Sequence, residues 1–302
     1  MQIIHDPIYA ISTQEGPRTV VGSFKKSSNE NYIQQLETGQ RYPHRLPPSK
    51  VGWTPGTEST TFASTSTSLR VWKVGDEKPV VKLYASNKST SINSHASPMT
   101  SFDWNRHVLH KAATCSLDTT IAVWDVERGK LETQLIAHDK AVFDITYTSS
   151  NQFCSVSQDG SLRQFDSRDL DHSTILYEDA LPLLRVAARG FFIAVTVHEN
   201  SDILLFDTRK PGFLCSVLRC NGICPNAIAW NEESQNGILS AGLADGTCAL
   251  FINPADSVKM KPSKLLETPQ GYTEGGIANI SWAGNQTLST VHGNSVVHRR
   301  IN

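Results

Sequence analysis

The chain has 302 residues, of which 39% are hydrophobic and 19% are charged, with 28 Lys and Arg against 29 Asp and Glu. This apolar fraction supplies a substantial core and excludes a disordered chain, while the balanced charge offers no basic stripe that could follow a nucleic-acid backbone. The longest apolar stretch, residues 191–197, is far shorter than the roughly 20 residues needed to cross a bilayer, so we expect no membrane span.

The first predicted elements are a short apolar piece at 2–5, a strand pattern at 7–13 and a degenerate third strand at 31–37. At the other end of the sequence, residues 295–301 also have the pattern of a third strand. Both ends are therefore incomplete units. If the opening piece pairs as the outer strand of the last unit, a ring closes and the exposed sheet edges disappear.

Between the ends, five predicted third strands share one signature: a large residue lies six positions after a small or polar turn residue. The large residues are 52, 41, 41 and 45 positions apart, close to the roughly 40–45 of a four-stranded propeller blade. Seven blades over 302 residues would average about 43 residues each. The turn and large residues are Ser66 and Trp72, Asp118 and Trp124, Asp159 and Phe165, Asn200 and Phe206, and Asp245 and Phe251.

A second aromatic residue precedes four of these large residues by 18 to 21 positions, as a two-strand step joined by a turn would require. The runs between them alternate in polarity or are short and apolar, bounded by Gly, Asp, Asn and Ser, and none has a sustained helical period. The sequence therefore predicts an all-β, seven-bladed propeller spanning 1–302 as a single domain, closed by an N-terminal strand. The second aromatics are Trp53, Trp104, Tyr147 and Trp230, and with Trp282 every tryptophan occupies one of the two repeat positions.

Three stretches interrupt the repeat. The Ser/Thr-rich residues 54–68 are expected to be partly strand, because β-branched Thr favours sheets, and residues 85–97 to be a long surface loop. The acidic run 169–179 is also expected to be a loop. The last two are candidates for surface contacts by composition, with plain solvation as the alternative.

In the best-formed blades, a His precedes the turn Asp by 21 or 23 residues. The Asp can accept backbone N–H groups in its turn, and a buried His needs partners for its ring nitrogens. With Trp124 and a second-strand hydroxyl, either Thr114 or Ser116 in one blade and either Ser155 or Ser157 in the next, these groups resemble the structural hydrogen-bonded tetrad of WD40 repeats. The predicted tetrad residues are His95, Ser116, Asp118, Trp124, His138, Ser157 and Asp159.

Longer segments are more specific. Residues 100–105, 116–124, 133–145, 159–179, 228–231 and 272–276 are similar to those of the plant TRANSPARENT TESTA GLABRA and ANTHOCYANIN regulators and of the animal WD-repeat scaffold that binds dual-specificity tyrosine-regulated kinases. The resemblance implies a non-catalytic scaffold, monomeric within its complexes, in cytoplasm and nucleus. Its expected partners are dual-specificity tyrosine-regulated or homeodomain-interacting kinases, or MYB and basic helix-loop-helix transcription factors.

Many propellers of this kind also resemble substrate receptors of cullin-4 ubiquitin ligases, whose W-D-x-R motif provides an Arg for the ligase adaptor. This chain has two such corners with Phe in place of Trp. An exposed Arg can make bidentate contacts at an interface, although a solvated or locally paired Arg is the alternative. The predicted partner-binding residues are Asp166, Arg168, Asp207 and Arg209.

No nucleophile elbow, phosphate-binding loop or zinc-protease helix motif occurs in the sequence. The six cysteines form no C-x-x-C pair, so buried thiols are expected and neither a metal nor a cofactor is predicted. The function therefore predicted is a protein scaffold and not an enzyme. The alternative is a propeller hydrolase with an unrecognised site in the central channel, because a fold alone does not exclude catalysis.

Overall fold

A computed structural model describes most of the chain, and the strands it contains form seven separate sheets. The described residues contain no helix, so the all-β, seven-bladed prediction is confirmed. None of them forms a helix with the length and hydrophobicity that a membrane crossing requires. The described residues are 2–3, 6–14, 18–25, 27–56, 60–84, 97–235, 237–255, 259–267 and 275–301.

The first four blades each contain four consecutive antiparallel strands. Blade 1 contains β2 (Ile8–Gln14), β3 (Arg18–Lys25), β4 (Glu30–Gln35) and β5 (Arg41–His44). Blade 2 contains β6 (Lys50–Trp53), β7 (Thr61–Thr65), β8 (Leu69–Lys73) and β9 (Val81–Leu83). Blade 3 contains β10 (Met99–Trp104), β11 (Lys111–Ser116), β12 (Thr120–Asp125) and β13 (Lys130–Ile136). Blade 4 contains β14 (Val142–Tyr147), β15 (Gln152–Ser157), β16 (Ser161–Asp166) and β17 (Asp169–Glu178).

The last three blades include two strands that come from elsewhere in the chain. Blade 5 contains β18 (Leu183–Arg189), β19 (Phe192–Val197), β20 (Asp202–Asp207) and β21 (Leu214–Arg219), with β25 (Lys259–Met260) added as a fifth strand. Blade 6 contains β22 (Pro225–Asn231), β23 (Ile238–Leu243), β24 (Cys248–Ile252) and β26 (Lys264–Leu266). Blade 7 contains β27 (Ile277–Ala283), β28 (Thr287–His292), β29 (Ser295–Arg300) and β1 (Gln2–Ile3).

The innermost strands contact one another in chain order and close the ring where β27 meets β2. Strand β1 completes blade 7 as predicted, with Gln2 opposite Val296 and Ile3 opposite Ser295. Strand β25 was not predicted. It leaves blade 6 and pairs in parallel with the outer strand of blade 5, so that Lys259 faces Val217 and Met260 faces Leu218. The outer edge of blade 5 is therefore covered by the chain itself.

The two aromatic repeat positions serve different contacts. Third-strand tryptophans donate within their own blade: Trp72 Nε1 donates to Ser64 Oγ at 2.9 Å. Three of the four first-strand tryptophans donate to the preceding blade, and Trp230 Nε1 reaches the carbonyl oxygen of Ala187 at 3.0 Å. Trp282 Nε1 reaches Ser240 Oγ at 3.0 Å in the same way. The exception is Trp104, whose Nε1 has no hydrogen-bond partner among the described residues. One repeat position therefore fixes the blade, and the other joins neighbouring blades.

One expectation about loops changed. The acidic run is not a loop: residues 169–178 form β17, the outer strand of blade 4, because it pairs with β16 along its length. Its polar residues remain exposed since nothing described covers that edge. Residues 54–68 do contain a strand, β7, whereas the stretch 85–97 lies outside the described residues except for Ser97.

The ring has two faces. The tetrad face contains the turns between second and third strands, such as 158–160, and the loops that enter the next blade, such as 137–141. The corner face contains the turns after the third strands, such as 167–168. The central channel connects the two faces and has a volume of about 710 Å³.

Candidate functional site

The tetrad of blade 4 centres on the buried side chain of His138. Its Nε2 lies 2.7 Å from Ser155 Oγ, and its Nδ1 lies 3.0 Å from Asp159 Oδ2 and 3.0 Å from Ser161 Oγ. Because an ionised carboxylate only accepts, Nδ1–H donates to Asp159 and Nε2 accepts from the hydroxyl of Ser155. The backbone N–H of Asp139 also donates to Asp159 at 3.0 Å.

These hydrogen bonds hold the Asp159 carboxylate in its ionised form. Burial raises its pKa, but the hydrogen bonds from His138 and Ser161 outweigh burial and hold the pKa far below the ordinary value. The side chain is only 8% exposed, so the ring of His138 and this carboxylate form a satisfied buried pair. Such a pair stabilises one packing of two neighbouring loops.

Blade 3 contains only part of the same arrangement. Trp124 Nε1 donates to Thr114 Oγ1 at 2.9 Å. Asp118 is exposed and accepts from the backbone N–H and the hydroxyl of Thr120 at 3.2 and 2.6 Å. The predicted His95 lies outside the described residues. Asp118 therefore acts in its own turn in the described structure.

The prediction that the hydroxyls of Ser116 and Ser157 belong to the tetrads is wrong. Side chains alternate across a strand, so residues two apart share a face, and the turn sets which of them lies under the ring. Ser157 Oγ donates to the carbonyl of Lys140 at 3.2 Å, and Ser116 Oγ donates to the carbonyl of Pro98 at 3.0 Å. The positions beneath the aromatic residue are occupied by Thr114 and Ser155, the alternatives that the sequence left open.

Sequence reasoning missed a third tetrad histidine, His44, which ends β5 of blade 1 and contacts blade 2. Its Nε2 lies 2.9 Å from Ser64 Oγ, which accepts from Trp72 Nε1. Among the described residues its Nδ1 has no hydrogen-bond partner, and neither does the hydroxyl of Ser66. Burial, and then the positive charges of Arg70 and Lys82, lower the pKa of His44 to about 3. The available signal was a His at the end of a fourth strand, but no Asp follows it.

The first F-D-x-R corner folds back on itself. Arg168 donates through Nε to Asp166 Oδ1 at 2.8 Å and through a terminal nitrogen to Oδ2 at 2.5 Å. Hydrogen bonds from Arg168 lower the pKa of Asp166 to about 2. The Arg168 side chain is 70% exposed, so Asp166 holds a guanidinium whose outer edge faces solvent.

The second corner has the same pairing and an aromatic neighbour. Arg209 binds Asp207 through Nε at 2.9 Å and a terminal nitrogen at 2.6 Å, and hydrogen bonds from Arg209 lower the pKa of Asp207. The guanidinium carbon lies 4.6 Å from the ring centroid of Phe191, which is 56% exposed. Phe213, in the same corner loop, is 71% exposed. Sequence reasoning named the Arg and missed both rings, since isolated exposed Phe residues have no motif.

The third corner, in blade 3, differs by one residue. Glu127 occupies the place of the motif Arg, and Arg128 takes up the pairing one position later. Arg128 Nε lies 3.6 Å from Asp125 Oδ2, and its backbone N–H donates to Asp125 Oδ1 at 2.8 Å. This looser pair leaves the guanidinium of Arg128 without the bidentate geometry of the other two corners.

The channel wall contains a buried charged group that the sequence did not reveal. Asp144 accepts from Ser101 Oγ at 2.6 Å, from Lys50 Nζ at 3.3 Å and from the backbone N–H of Val186 at 3.2 Å. Burial raises the pKa of Asp144, but Lys50 and Arg185 lower it further, so the net pKa lies below the ordinary value. Asp144 thereby joins the inner strands of blades 2, 3, 4 and 5.

No group of three or more His, Cys, Asp or Glu side chains within the described ranges could hold a metal ion. Two carboxylates of the channel are engaged with neighbouring groups: Asp144 with Lys50, and Asp103 with the backbone N–H of Tyr147 at 2.8 Å. The arrangement therefore offers surfaces for contact and rigid internal supports.

Comparison with known proteins identifies the same repeat and similar WD-repeat proteins. The sequence model described as "WD domain, G-beta repeat" matches residues 86–125 and 129–166, which end at the third strands of blades 3 and 4. The chain is 35% identical over 286 residues to the DDB1- and CUL4-associated factor 7 homolog of Dictyostelium discoideum, covering 89% of this chain and 86% of that protein. It is 34% identical to an uncharacterized WD repeat-containing protein of Schizosaccharomyces pombe, covering 89% of this chain and 70% of the relative.

A solved structure described as that of U3-55K shares the fold. It superposes with a TM-score of 0.79 at 11% sequence identity and covers 99% of this chain and 96% of the other. At that identity the similarity concerns the architecture alone.

Proposed function

Because the chain belongs to the WD-repeat family that contains the DDB1- and CUL4-associated factor 7 homolog, we propose that it is a non-catalytic scaffold that docks on a DDB1-type adaptor of a cullin-4 ligase. The observation that carries this proposal is the pair of corners in which Asp166 and Asp207 hold exposed Arg168 and Arg209 on one face. Each guanidinium is preorganised by its own Asp, so less conformational entropy is lost on binding.

The proposal extends to clients. The resemblance in the middle blades supports regulatory kinases or transcription factors as the proteins held, with the complex working in cytoplasm and nucleus. The adaptor would then take the corner face of blades 4 and 5, and the opposite face would remain open for a client.

The two corners are not equivalent in this proposal. Arg209 lies against Phe191 and beside the exposed Phe213, whereas the corner of Arg168 has no ring within stacking distance among the described residues. Exposed aromatic side chains next to an Arg form the typical centre of a protein interface. Arg209 should therefore contribute more of the binding free energy than Arg168.

The test is titration of the purified chain against a purified DDB1-type adaptor by calorimetry. We expect Arg209→Ala to weaken binding on the order of 10- to 100-fold, Arg168→Ala to weaken it less, and the double variant to weaken it most. Arg128→Ala is the matched control, because this exposed Arg lies in the corner that lacks the motif. Equal affinity of the wild type and the double variant would refute the adaptor proposal.

A further inference from the structure

The mouth of the channel on the tetrad face is built by a repeated irregularity. Six of the seven inner strands have a register shift after their first residue, where a β-bulge inserts one residue without a partner. A bulge turns that residue's side chain away from the alternation of its strand. Five bulge residues, Thr100, Phe143, Leu184, Asn226 and Ala278, line a cavity of about 720 Å³ at this mouth.

The wall of this cavity is largely apolar on the side of blades 3 to 5. Phe143 and Leu184 are half-buried, Pro98 is exposed, and Leu117 is 46% exposed. Single exposed apolar residues are ordinary on a protein surface, but several around one concave mouth mark a binding surface.

One charged side chain lines the cavity, that of Arg185. It is exposed, it forms no ion pair with a carboxylate of the described residues, and its Nε donates only to the carbonyl of Asn226 at 3.4 Å. The nearby carboxylate of Asp144 is already held by Ser101, Lys50 and Val186. The mouth therefore presents one exposed guanidinium beside apolar side chains. Asp144, whose pKa it lowers, offsets its charge only in part, because that carboxylate is shared with Lys50.

The position of Arg185 is fixed by the buried group beneath it. The backbone N–H of the next residue, Val186, donates to Asp144, and the backbone N–H of Arg185 donates to Thr196 Oγ1 at 3.1 Å. A cation on a rigid strand loses little entropy when it binds an anion. Asn226 lies on the same rim, where its Nδ2 donates to the carbonyl of Ile277 at 3.3 Å and its Oδ1 can accept from a peptide N–H.

We infer that this mouth binds an extended segment of a client protein in which an acidic residue is flanked by bulky apolar residues. The acidic side chain pairs with Arg185, and the apolar side chains pack against Phe143, Leu184 and Leu117. The inference rests on the proposed scaffold function and assigns the client to the tetrad face, opposite the corners of Arg168 and Arg209. Charge complementarity favours this occupant. A basic segment would be repelled by the guanidinium of Arg185, and a purely apolar segment would bury that guanidinium without supplying an anionic partner.

The experiment uses the purified full chain and an array of synthetic nonapeptides with Leu-Asp-Phe, Leu-Asn-Phe or Leu-Lys-Phe at the centre of varied neutral flanks. The strongest binders are then measured in solution by fluorescence polarisation. We expect Asp peptides to bind, the matched Asn peptides to bind at least 10-fold more weakly, and Lys peptides to bind least.

Substitutions test whether the peptides bind at the channel mouth. Arg185→Gln should reduce binding of Asp peptides at least 10-fold and remove the preference for Asp over Asn, while Phe143→Ser should weaken all three peptide classes. Lys140→Gln, on the same face outside the cavity, and Arg128→Gln, on the corner face, should leave the affinities unchanged, and thermal melts should show each variant folded.

Three outcomes would overturn the inference: no peptide bound above background, a preference for Lys peptides, or Asp-peptide binding that Arg185→Gln leaves intact. The adaptor plays no part in this measurement. Failure here therefore leaves the corner proposal standing, and failure of the adaptor titration leaves this one standing.

Discussion

Blades 2 and 4 each contain three parts of one hydrogen-bonded tetrad, and each lacks a different fourth part. Blade 4 has His138, Ser155 and Asp159 but a Phe at the third-strand aromatic position. The tetrad of blade 2 has Ser64 and Trp72, joined by His44 from the end of β5, but no described residue pairs with Nδ1 of that His. The missing Trp leaves a hydroxyl with one fewer donor, whereas the missing Asp leaves a buried ring nitrogen unpaired, so the two omissions differ in cost.

The reason for the missing acceptor in blade 2 is the length of a turn. Three residues separate the last strand pair, Thr65 with Leu69, whereas five separate Val156 from Leu162 in blade 4. Ser66 lies six positions before Trp72, as Asp159 does before Phe165, but in the shorter turn it follows the second strand directly. A matching offset counted from one strand therefore does not make the two turns equivalent.

The largest expected effect comes from breaking the complete acceptor in blade 4. Asp159→Ala removes the ionised acceptor of Nδ1 of buried His138 and leaves it only the hydroxyl of Ser161. It also removes the hydrogen bonds that the carboxylate accepts from Ser161 and from the backbone N–H of Asp139, so we expect a loss of about 2–3 kcal/mol in the free energy of unfolding. Urea denaturation at pH 7 measures this loss.

The matched control is Asp118→Ala in blade 3. Its side chain is exposed and bonds only within its own turn in the described structure, so the expected loss is below about 1 kcal/mol. Equal losses for the two variants would show that the ring of His138 contributes nothing beyond the turn.

Acidification should expose the unpaired histidine in the tetrad of blade 2. The folded pKa of His44, about 3, lies below its ordinary value of 6.5, so its stabilisation is complete above pH 6.5 and is lost as the pH falls toward 3. Between pH 7 and pH 5 this amounts to about 2 kcal/mol, and His44→Gln should remove that part of the pH dependence. The lowered pKa of Asp159 has no effect in this window, since it acts only below pH 3.8.

The comparison uses the difference between the wild type and His44→Gln, because burial also lowers the pKa of His292, to about 4, and this group contributes with the same sign. Parallel stability curves for the two proteins across pH 5 to 7 would contradict the role given to His44.

The smallest effect is a gain, from making blade 2 resemble blade 4. Replacing residues 66–68 by Ser-Gln-Asp-Gly-Ser restores the five-residue turn and provides an acceptor for His44 Nδ1, for an expected gain of about 1 kcal/mol. The Gly is kept because Gly160 has a φ of +84° and an added Cβ would lie 2.1 Å from the carbonyl oxygen of Asp179. Ser68 and Arg70 already make the contact that Ser161 and Arg163 make in blade 4.

The control is the same replacement with Asn in place of Asp, since an amide lacks the negative charge that strengthens the hydrogen bond to the ring of His44. The Asp turn should raise the urea midpoint at pH 7 and reduce the dependence of stability on pH. A lower midpoint for the Asp turn than for the wild type would contradict this explanation of the missing acceptor.

Much of the fold could be predicted from the sequence because large residues mark the repeat at regular spacings. Trp72, Trp124 and Phe251 are buried at one position of the third strand, and Trp53 and Trp230 at one position of the first. The pairing of residues 2 and 3 with the last blade also followed from the pattern. Strand β25 could not be predicted, since two residues carry no period and their partner lies in another blade.

The candidate site was less predictable, because its geometry depends on turns and on contacts between blades. The sequence located Arg168 and Arg209 but not the ring of Phe191 over one of them. It left Ser155 and Ser157 as alternatives, since only the turn decides which lies beneath His138. Asp144 carried no signal, as its partners Lys50 and Ser101 come from two other blades.

The pairing of Gln2 with Val296 has a consequence for the order of events during synthesis. The two residues are 296 − 2 = 294 positions apart, which at about 5–20 residues per second is a delay of about 15–60 s. Throughout that interval β1, the outer strand of blade 7, has been synthesised but its partner strand β29 has not. Closure of this propeller therefore cannot precede the synthesis of β29, and the ribosome sets its earliest time.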